Sequence, residues 1–173
     1  MRWDRDALPL MDSSSRDRYP ILLQALGSLV VRFSILEESI RDVIMLVSDS
    51  KGNVVPILTS GLPFKTLVEK FGAVCVESAP AYGSPDEIKA FCGLLHKINE
   101  DRNALVHSVW PSEPSDDPYL RYKMSADARK GLNFNFRNVT ADEVNSLVAR
   151  IGAAEVKLVE IALRPVKTPP TQA

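Results

Sequence analysis

The sequence contains few of the residues on which metal centres, disulfide scaffolds and membrane spans depend. Of its 173 residues, only two are cysteine and two are histidine. The opening MRWDRDALPLMDSSSRDR holds no apolar run that could serve as a signal peptide or a membrane span. We therefore expect a cytoplasmic protein that does not associate with a membrane, in which Cys75 and Cys92 are idle thiols.

An excess of charge of one sign is also lacking. The chain has 21 Lys and Arg residues against 22 Asp and Glu residues, for a formal net charge of −1. Such a balance gives no overall attraction to nucleic acid, so a site for a polyanion must be a local patch. Hydrophobic residues make up 45% and charged residues 25%, which is typical of a globular domain.

Several enzyme classes lack their motifs in this chain. There is no glycine-rich phosphate loop and no nucleophile elbow. The two histidines and two cysteines stand at no familiar zinc-ligand spacing. A di-iron bundle needs Glu-x-x-His pairs, but Gly93 and Ala104 occupy the required positions before His96 and His107. We therefore expect neither a metal ion nor an organic cofactor.

The pattern of apolar residues predicts helices between two irregular ends. Residues 1–18 have mixed charge and no periodicity, which predicts a flexible arm, and the proline-rich residues 165–173 predict a disordered tail. A helix over about 20–48 is predicted by apolar residues at alternating steps of four and three. Its apolar surface is wider than one stripe because of Val30, Val31, Ile35, Ile44 and Leu46, so it either lies centrally or packs against a second chain.

Three further helical segments are predicted in residues 19–164. The second covers about 54–78 and is broken around Gly61 and Pro63. The third begins with a capping box at SPDE, residues 84–87, and Pro111 ends it. The fourth begins with a second capping box, Thr140 with Glu143, and ends before Pro165. Fold class is therefore predicted to be all-α, a four-helix bundle.

A small β-hairpin, at about 119–139, is predicted between the third and fourth helices. YLRYKM and NFNFRNV alternate between apolar and polar residues, as expected of strands with two different faces. The region carries the cations Arg121, Lys123 and Arg137 among aromatic residues, and this combination can track an RNA strand. The alternative is a solvated hairpin whose aromatic residues cap the bundle.

The stretch EDRNALVHSVW, residues 100–110, places polar residues on a helix that is otherwise apolar on one side. The predicted buried stripe consists of Ile88, Phe91, Leu95, Ile98, Leu105 and Val109, and Arg102 falls on the same stripe. Asn103 and His107 fall on a neighbouring line. Taken singly, Arg102 could pair with a carboxylate such as Glu37 or Glu38, and His107 could interact with the helix dipole.

Taken together, the string RNALVH resembles the signature of HEPN domains, the higher eukaryotes and prokaryotes nucleotide-binding family. That signature is an Arg, a polar residue such as Asn, and a His four to six residues after the Arg. The resemblance covers residues 20–164 in helix order and in the position of the motif. It implies an all-helical bundle of this size.

The resemblance also implies a function, because many HEPN domains are metal-independent endoribonucleases. It casts His107 as general base or acid, Arg102 as the phosphate clamp and Asn103 as the positioning residue. Arg102 and His107 are separated by a rotation of about 140° on a regular helix, which either a bent helix end or a two-fold dimer with a composite site would overcome, and we expect the dimer. The family further implies an RNA substrate, a toxin–antitoxin or phage-defence setting, and an antitoxin protein as a partner. The alternative is a non-catalytic HEPN-like module that binds a nucleotide, an RNA or a protein.

Overall fold

The computed structural model describes residues 20–78, 81–110, 118–127 and 131–164. Most of these residues are helical, and one two-stranded antiparallel sheet interrupts the helices. The elements in chain order are α1 (Pro20–Val47), α2 (Val54–Thr59), α3 (Phe64–Glu77), α4 (Pro85–Val106), β1 (Tyr119–Asp127), β2 (Gly131–Val139) and α5 (Ala141–Ala162). The predicted arm, residues 1–18, and the predicted tail, residues 165–173, lie outside the described residues.

The core forms where α1 packs against α3 and α5, with α4 packed on α3 and α5. The apolar stripe predicted for the first helix is confirmed, and nine residues of α1 are buried: Leu22, Ala25, Leu29, Phe33, Leu36, Ile40, Val43, Ile44 and Val47. Of the residues that widen its apolar surface, Ile44 joins the core and the others do not. Val30, Val31 and Ile35 are 42%, 60% and 45% exposed.

Length and composition alone would allow α1 to cross a membrane. Its mean hydropathy is 1.4 over an 18-residue window, of which 28% is buried inside the protein. The core helix of a soluble protein passes the same test, so this is weak evidence for a membrane association. The cytoplasmic location therefore stays a prediction.

The predicted helix boundaries agree closely with the structure. The break in the second segment lies at residues 60–63, where Gly61 has a φ of +70° and Pro63 precedes the first turn of α3. The side chains of Ser84 and Thr140 accept hydrogen bonds from the backbone N–H groups of Glu87 and Glu143, so both predicted N-caps are confirmed.

The end of the third predicted helix differs from the prediction. α4 ends at Val106, with His107 as its C-cap, several residues before Pro111. Val109 therefore does not continue the buried helical stripe. Its backbone instead pairs with that of Tyr122, through N–H to carbonyl bonds of 2.8 and 2.9 Å, and its side chain is 40% exposed. The chain leaves the helix early because these hydrogen bonds tie it to the hairpin.

The predicted hairpin is confirmed, with strands longer than its two alternating runs suggested. β1 and β2 pair from Tyr119 opposite Val139 to Asp127 opposite Gly131. One face of this sheet carries the cations and the other carries Tyr122, Phe134 and Phe136, whose ring centroids lie 5.5 to 6.2 Å apart. The aromatic face does not cap the helices. Phe134 and Phe136 are 44% and 63% exposed, so these two rings do not cover the core, whereas Tyr119 is buried in it.

Candidate functional site

Arg102 is held in place by two contacts of its guanidinium group. The group lies over the ring of Phe33 of α1, with Cζ 4.8 Å from the ring centroid, which is a cation–π geometry. Its Nη1 donates a hydrogen bond of 2.8 Å to Oδ1 of Asn103. Neither Glu37 nor Glu38 is its partner, since Arg102 makes no ion pair with a described carboxylate and Glu38 pairs with Arg41.

Asn103 connects Arg102 to the previous turn of α4. Its Nδ2 donates a hydrogen bond of 3.3 Å to Oδ1 of Asn99, while its Oδ1 accepts from Arg102. Because both the oxygen and the nitrogen of the Asn103 amide are hydrogen-bonded, the orientation of the amide is fixed, and the guanidinium group bonded to it is held as well. One buried donor is left over, because Nε of Arg102 has no hydrogen-bond partner among the described residues.

His107 lies at the end of α4 and is exposed. Its backbone N–H donates to the carbonyl of Asn103 at 3.3 Å, but its imidazole makes no hydrogen bond or ion pair with another described residue. Because α4 is helical through Val106, the side chains of Arg102 and His107 leave the helix in directions about 140° apart. The structure thus joins Arg102 to Asn103 and leaves His107 of the same chain apart from them.

The three predicted RNA-binding residues share the cationic face of the hairpin. Arg121 lies directly opposite Arg137 across the strands, and Lys123 is two residues from Arg121 on the same face. The aromatic residues expected to accompany them lie on the other face, apart from Tyr119, which is buried. No single surface of the hairpin therefore offers both the cations and exposed rings.

Arg121 is not a surface residue, although alternation on the hairpin gave no sign of this. It is 5% exposed and donates a hydrogen bond of 2.9 Å from Nη1 to Oγ of Ser108, which itself donates to the carbonyl of Ala104. Burial, and then the nearby charge of Arg137, lower the pKa of the Arg121 guanidinium, while Glu143 acts in the opposite direction. This cation is held against the C-terminal end of α4, where the helix dipole favours positive charge.

A cleft of about 300 Å³ separates the hairpin from α4 and α5. We call it the arginine cleft, and its charged lining residues are Asp101, Arg121, Arg137, Glu143 and Arg150. A second cleft of about 260 Å³ continues along the hairpin beside Lys123, Asn133 and Asn135. Both are also lined by Ala104, about 200° around α4 from Arg102, so they lie on a different side of this helix from the Arg102–Asn103 pair.

Two salt bridges close the helix side of the arginine cleft. Nη1 of Arg150 lies 2.7 Å from Asp101, which also pairs with Lys97 at 3.2 Å, and Nη2 of Arg137 lies 3.0 Å from Glu143. Burial would raise the pKa of the Asp101 carboxyl, but the hydrogen bonds from Arg150 and Lys97 lower it overall. Asp101 and Arg150 were not among the predicted site residues. Asp101 lies beside Arg102 in the motif, yet only the tertiary fold brings Arg150 to it.

Neither cysteine is in a disulfide, and burial raises the pKa of both thiols. Burial, and then the neighbouring Cys92, raise the pKa of Cys75 to about 12, and burial raises the pKa of Cys92. In the described ranges, no cluster of three or more His, Cys, Asp or Glu side chains could hold a metal ion. Comparison of the chain with protein-family models, with curated proteins and with solved structures gave no match.

Proposed function

We propose that this protein is a HEPN-like endoribonuclease that cleaves RNA without a metal ion, using Arg102, Asn103 and His107. In this proposal α1, α3, α4 and α5 form the four-helix bundle of the family, with α2 as a short turn before α3. The observation that carries the proposal is the held guanidinium of Arg102 at the end of α4, with Asn103 bonded to it and His107 exposed nearby in sequence. Arg and His at this spacing are the residue types that the reaction needs.

The proposed reaction is an attack by a 2′-hydroxyl of RNA on the adjacent phosphorus. The 2′-oxygen forms a bond to phosphorus as its proton passes to a general base, and the bond to the 5′-oxygen breaks as that oxygen receives a proton. His107 is assigned one of these proton transfers, since His is the side chain that most readily exchanges protons near neutral pH. Arg102 stabilises the charge that develops on the phosphate oxygens. The products are a 2′,3′-cyclic phosphate end and a 5′-hydroxyl end.

We place the complete site in a homodimer, where Arg102 of one protomer and His107 of the other share a cleft. The geometric reason is that one chain directs these two side chains about 140° apart. A surface for the dimer is available on the outward side of α1, where Leu23, Val30, Val31 and Ile35 are 42% to 60% exposed. Gly27 lies on the same side and leaves open space around its backbone, which suits close approach of a second helix.

The hairpin is the proposed RNA-binding surface, through Lys123, Arg137 and the more deeply placed Arg121. Lys123 is exposed, and Arg137 is half exposed and paired with Glu143, so both can exchange their present surroundings for phosphate groups. An antitoxin protein as a partner and the toxin–antitoxin or phage-defence setting belong to the family resemblance alone, whereas the proposed cytoplasmic location comes from the sequence.

Expression in a bacterial host tests the proposal at low cost. We expect the wild-type protein to arrest growth and the His107→Ala variant to be harmless at equal protein levels. His96→Ala is the matched control, because His96 also lies on α4 but about three turns away, and it should remain toxic. Toxicity that persists in His107→Ala would contradict the assignment of His107.

One observation favours a second candidate, a non-catalytic HEPN-like module that binds a nucleotide, an RNA or a protein. Arg102 is already engaged by Phe33 and Asn103, which are contacts that a purely structural arginine would also make. For such a module, both the wild-type protein and His107→Ala would be harmless on expression.

A further inference from the structure

The arginine cleft brings three guanidinium groups together around two carboxylates, and it leaves one of the three without a carboxylate. Arg137 is paired with Glu143 and Arg150 with Asp101. Arg121 makes no ion pair with a described residue, although it is the most buried of the three. Buried charges in proteins are normally paired, so an unpaired arginine that lines a cleft calls for an explanation.

The surroundings of Arg121 add to the free-energy cost of burying its charge. Its nearest cross-strand neighbour is another cation, Arg137, and like charges that face each other across two strands are destabilising. Its Nε is buried and has no hydrogen-bond partner among the described residues. The hydrogen bond to Ser108 and the end of α4 offset part of this cost, but they satisfy only one edge of the guanidinium.

The remaining donors of Arg121 can bind an anion that enters from solvent, and a phosphate group is one that fits them. Arg121 lines both the arginine cleft and the second cleft, so a ligand in either space can reach it. Arg137 and Arg150 approach the arginine cleft from β2 and α5, which surrounds it with cations on several sides. Phosphate groups prefer this geometry because two N–H groups of one guanidinium can bond two phosphate oxygens at once.

From this geometry we infer that the arginine cleft is a phosphate-binding subsite, anchored by Arg121 and completed by Arg137 and Arg150. Glu143 and Asp101 act as internal counter-ions that give up one salt bridge each when a phosphate group enters. The second cleft, with Lys123, Asn133 and Asn135, accommodates the part of the ligand next to that phosphate. The inference deepens the proposed function and rests on it only for the source of the phosphate, which is RNA held away from the cleaved bond.

Titration of the full-length protein with inorganic phosphate tests the subsite without requiring any cleavage. Backbone and arginine Nε–H signals are followed by NMR, with sodium chloride added to equal ionic strength as the reference. We expect saturable shifts at Arg121, Arg137 and Arg150 that chloride does not reproduce. The absence of saturable shifts at these residues would overturn the inference, whether or not the protein is a nuclease.

Variants separate a phosphate site from general attraction to positive charge. Arg150→Gln and Arg121→Lys should each weaken phosphate binding about tenfold, since each loses charge-assisted hydrogen bonds. Glu143→Gln should tighten it, because a competing carboxylate is removed. Arg32→Gln, which breaks an ion pair between α1 and Glu155 of α5, is the matched control because neither residue lines the cleft, and it should bind phosphate as the wild type does. Equal weakening in Arg32→Gln, or no weakening in Arg150→Gln, would contradict the site.

The source of the phosphate is distinguished by comparing ligands on the same variants. A mixed-sequence single-stranded RNA should compete with inorganic phosphate for the shifted signals, and Arg150→Gln should weaken the binding of both ligands. If inorganic phosphate binds but RNA does not compete for it, the subsite stands and its assignment to RNA is wrong. If neither ligand binds, the subsite itself is wrong.

Discussion

Arg102 makes contacts that a lysine in its place could not reproduce. Its planar guanidinium both stacks on Phe33 and donates to Asn103, whereas an ammonium group is a point charge on a flexible stem. We therefore expect Arg102→Lys to lose RNA cleavage by at least about a hundredfold in kcat/KM. Asn103→Ala should retain partial activity, because it only orients the arginine. Circular dichroism and a melting curve check that both variants are folded, and nearly wild-type cleavage by Arg102→Lys would refute the clamp role.

Glu87 links the start of α4 to the end of α5. Its carboxylate accepts hydrogen bonds from Arg164 and pairs with Lys157 at 3.2 Å. The hydrogen bond from Arg164, and then that from Lys157, lower the pKa of Glu87 from 4.5 to about 2. A carboxyl whose pKa is lowered in the folded state stabilises the fold above its unfolded pKa and loses this effect as the pH falls through the folded value.

For Glu87, the pH range in which this stabilisation is lost runs from about pH 4.5 down to about pH 2. We predict that Glu87→Gln lowers the free energy of unfolding at pH 7 and flattens its fall with acid in this window. Urea denaturation at pH 7, 4.5 and 3 measures both. Glu77→Gln is the control, because Glu77 is an exposed residue of α3 that makes no ion pair with a described residue. Parallel pH curves for the wild type and Glu87→Gln would contradict the prediction.

The turn before α4 depends on Gly83. Its φ of +138° is a conformation that other residues rarely adopt, and an added Cβ would lie 2.5 Å from Nη1 of Arg164. We predict that Gly83→Ala destabilises the protein by about 1–3 kcal/mol through backbone strain and displacement of Arg164. The matched control is Gly93→Ala on the exposed side of α4, which has open space and should stabilise the helix by about 0.5–1 kcal/mol. Equal melting temperatures for the two variants would show that the turn does not require glycine.

In the proposed function, the hairpin binds RNA mainly through its accessible cations. The buried position of Arg121 makes charge reversal there a test of folding as much as of binding, so Lys123 and Arg137 are the residues to change. We predict that Lys123→Gln with Arg137→Gln weakens binding and reduces the slope of log affinity against log salt by about 0.7 for each RNA phosphate group that is no longer neutralised. Lys65→Gln on α3, 73% exposed, is the control. An unchanged slope in the double variant would show that the hairpin is an ordinary solvated surface that does not bind RNA.

At the scale of elements, local sequence signals predicted the helices and the hairpin well because they act within a few residues. Ser84 and Thr140 each bond a backbone N–H three positions later, so the residues that specify a helix start are adjacent to it. The early end of α4 escaped prediction because its cause is distant in sequence: Val109 pairs with Tyr122 of β1. Alternation showed which hairpin residues share a face, but it could not show which face packs on the helices.

The same limit applies to the candidate site. The spacing of Arg102, Asn103 and His107 could be found in the sequence, since these residues lie on one helix. The contact of Arg102 with Phe33, the pairing of Arg150 with Asp101 and the burial of Arg121 all join segments that are distant along the chain. A polar alternation pattern normally directs cations to solvent, and only the packing of the hairpin on Ser108 reverses this for Arg121.

At the scale of the whole molecule, the central structural expectation is a homodimer through the outward side of α1. Four apolar residues there are 42% to 60% exposed, and a large apolar patch on a folded protein usually marks an interface. Sedimentation at micromolar concentration should give twice the chain mass of 19.1 kDa. Val31→Glu should shift the particle to the monomer, while Leu163→Glu, which is 74% exposed at the end of α5, should not. A wild-type monomer would remove the composite site.

The composite site makes a separate prediction about mixtures of two inactive proteins. If each protomer contributes different groups, a mixture of Arg102→Ala and His107→Ala proteins contains heterodimers with one intact half-site. After exchange of subunits, random pairing makes about half of the dimers heterodimers, and each of these has one intact site of two. We therefore expect such a mixture to regain up to about a quarter of wild-type cleavage. Each variant alone should stay inactive. A mixture as inactive as its components would show that the groups act within one chain.

The most direct test of the proposed chemistry is RNA cleavage in the presence of a chelator, with wild-type protein beside the His107→Ala variant. A mixed-sequence RNA is incubated with each protein in excess EDTA, and the ends of the products are analysed. We predict that the wild type cleaves at an undiminished rate and leaves 2′,3′-cyclic phosphate ends, and that His107→Ala does not cleave. Cleavage that EDTA abolishes, full activity in the His107→Ala variant, or no cleavage by the wild type would contradict the proposal.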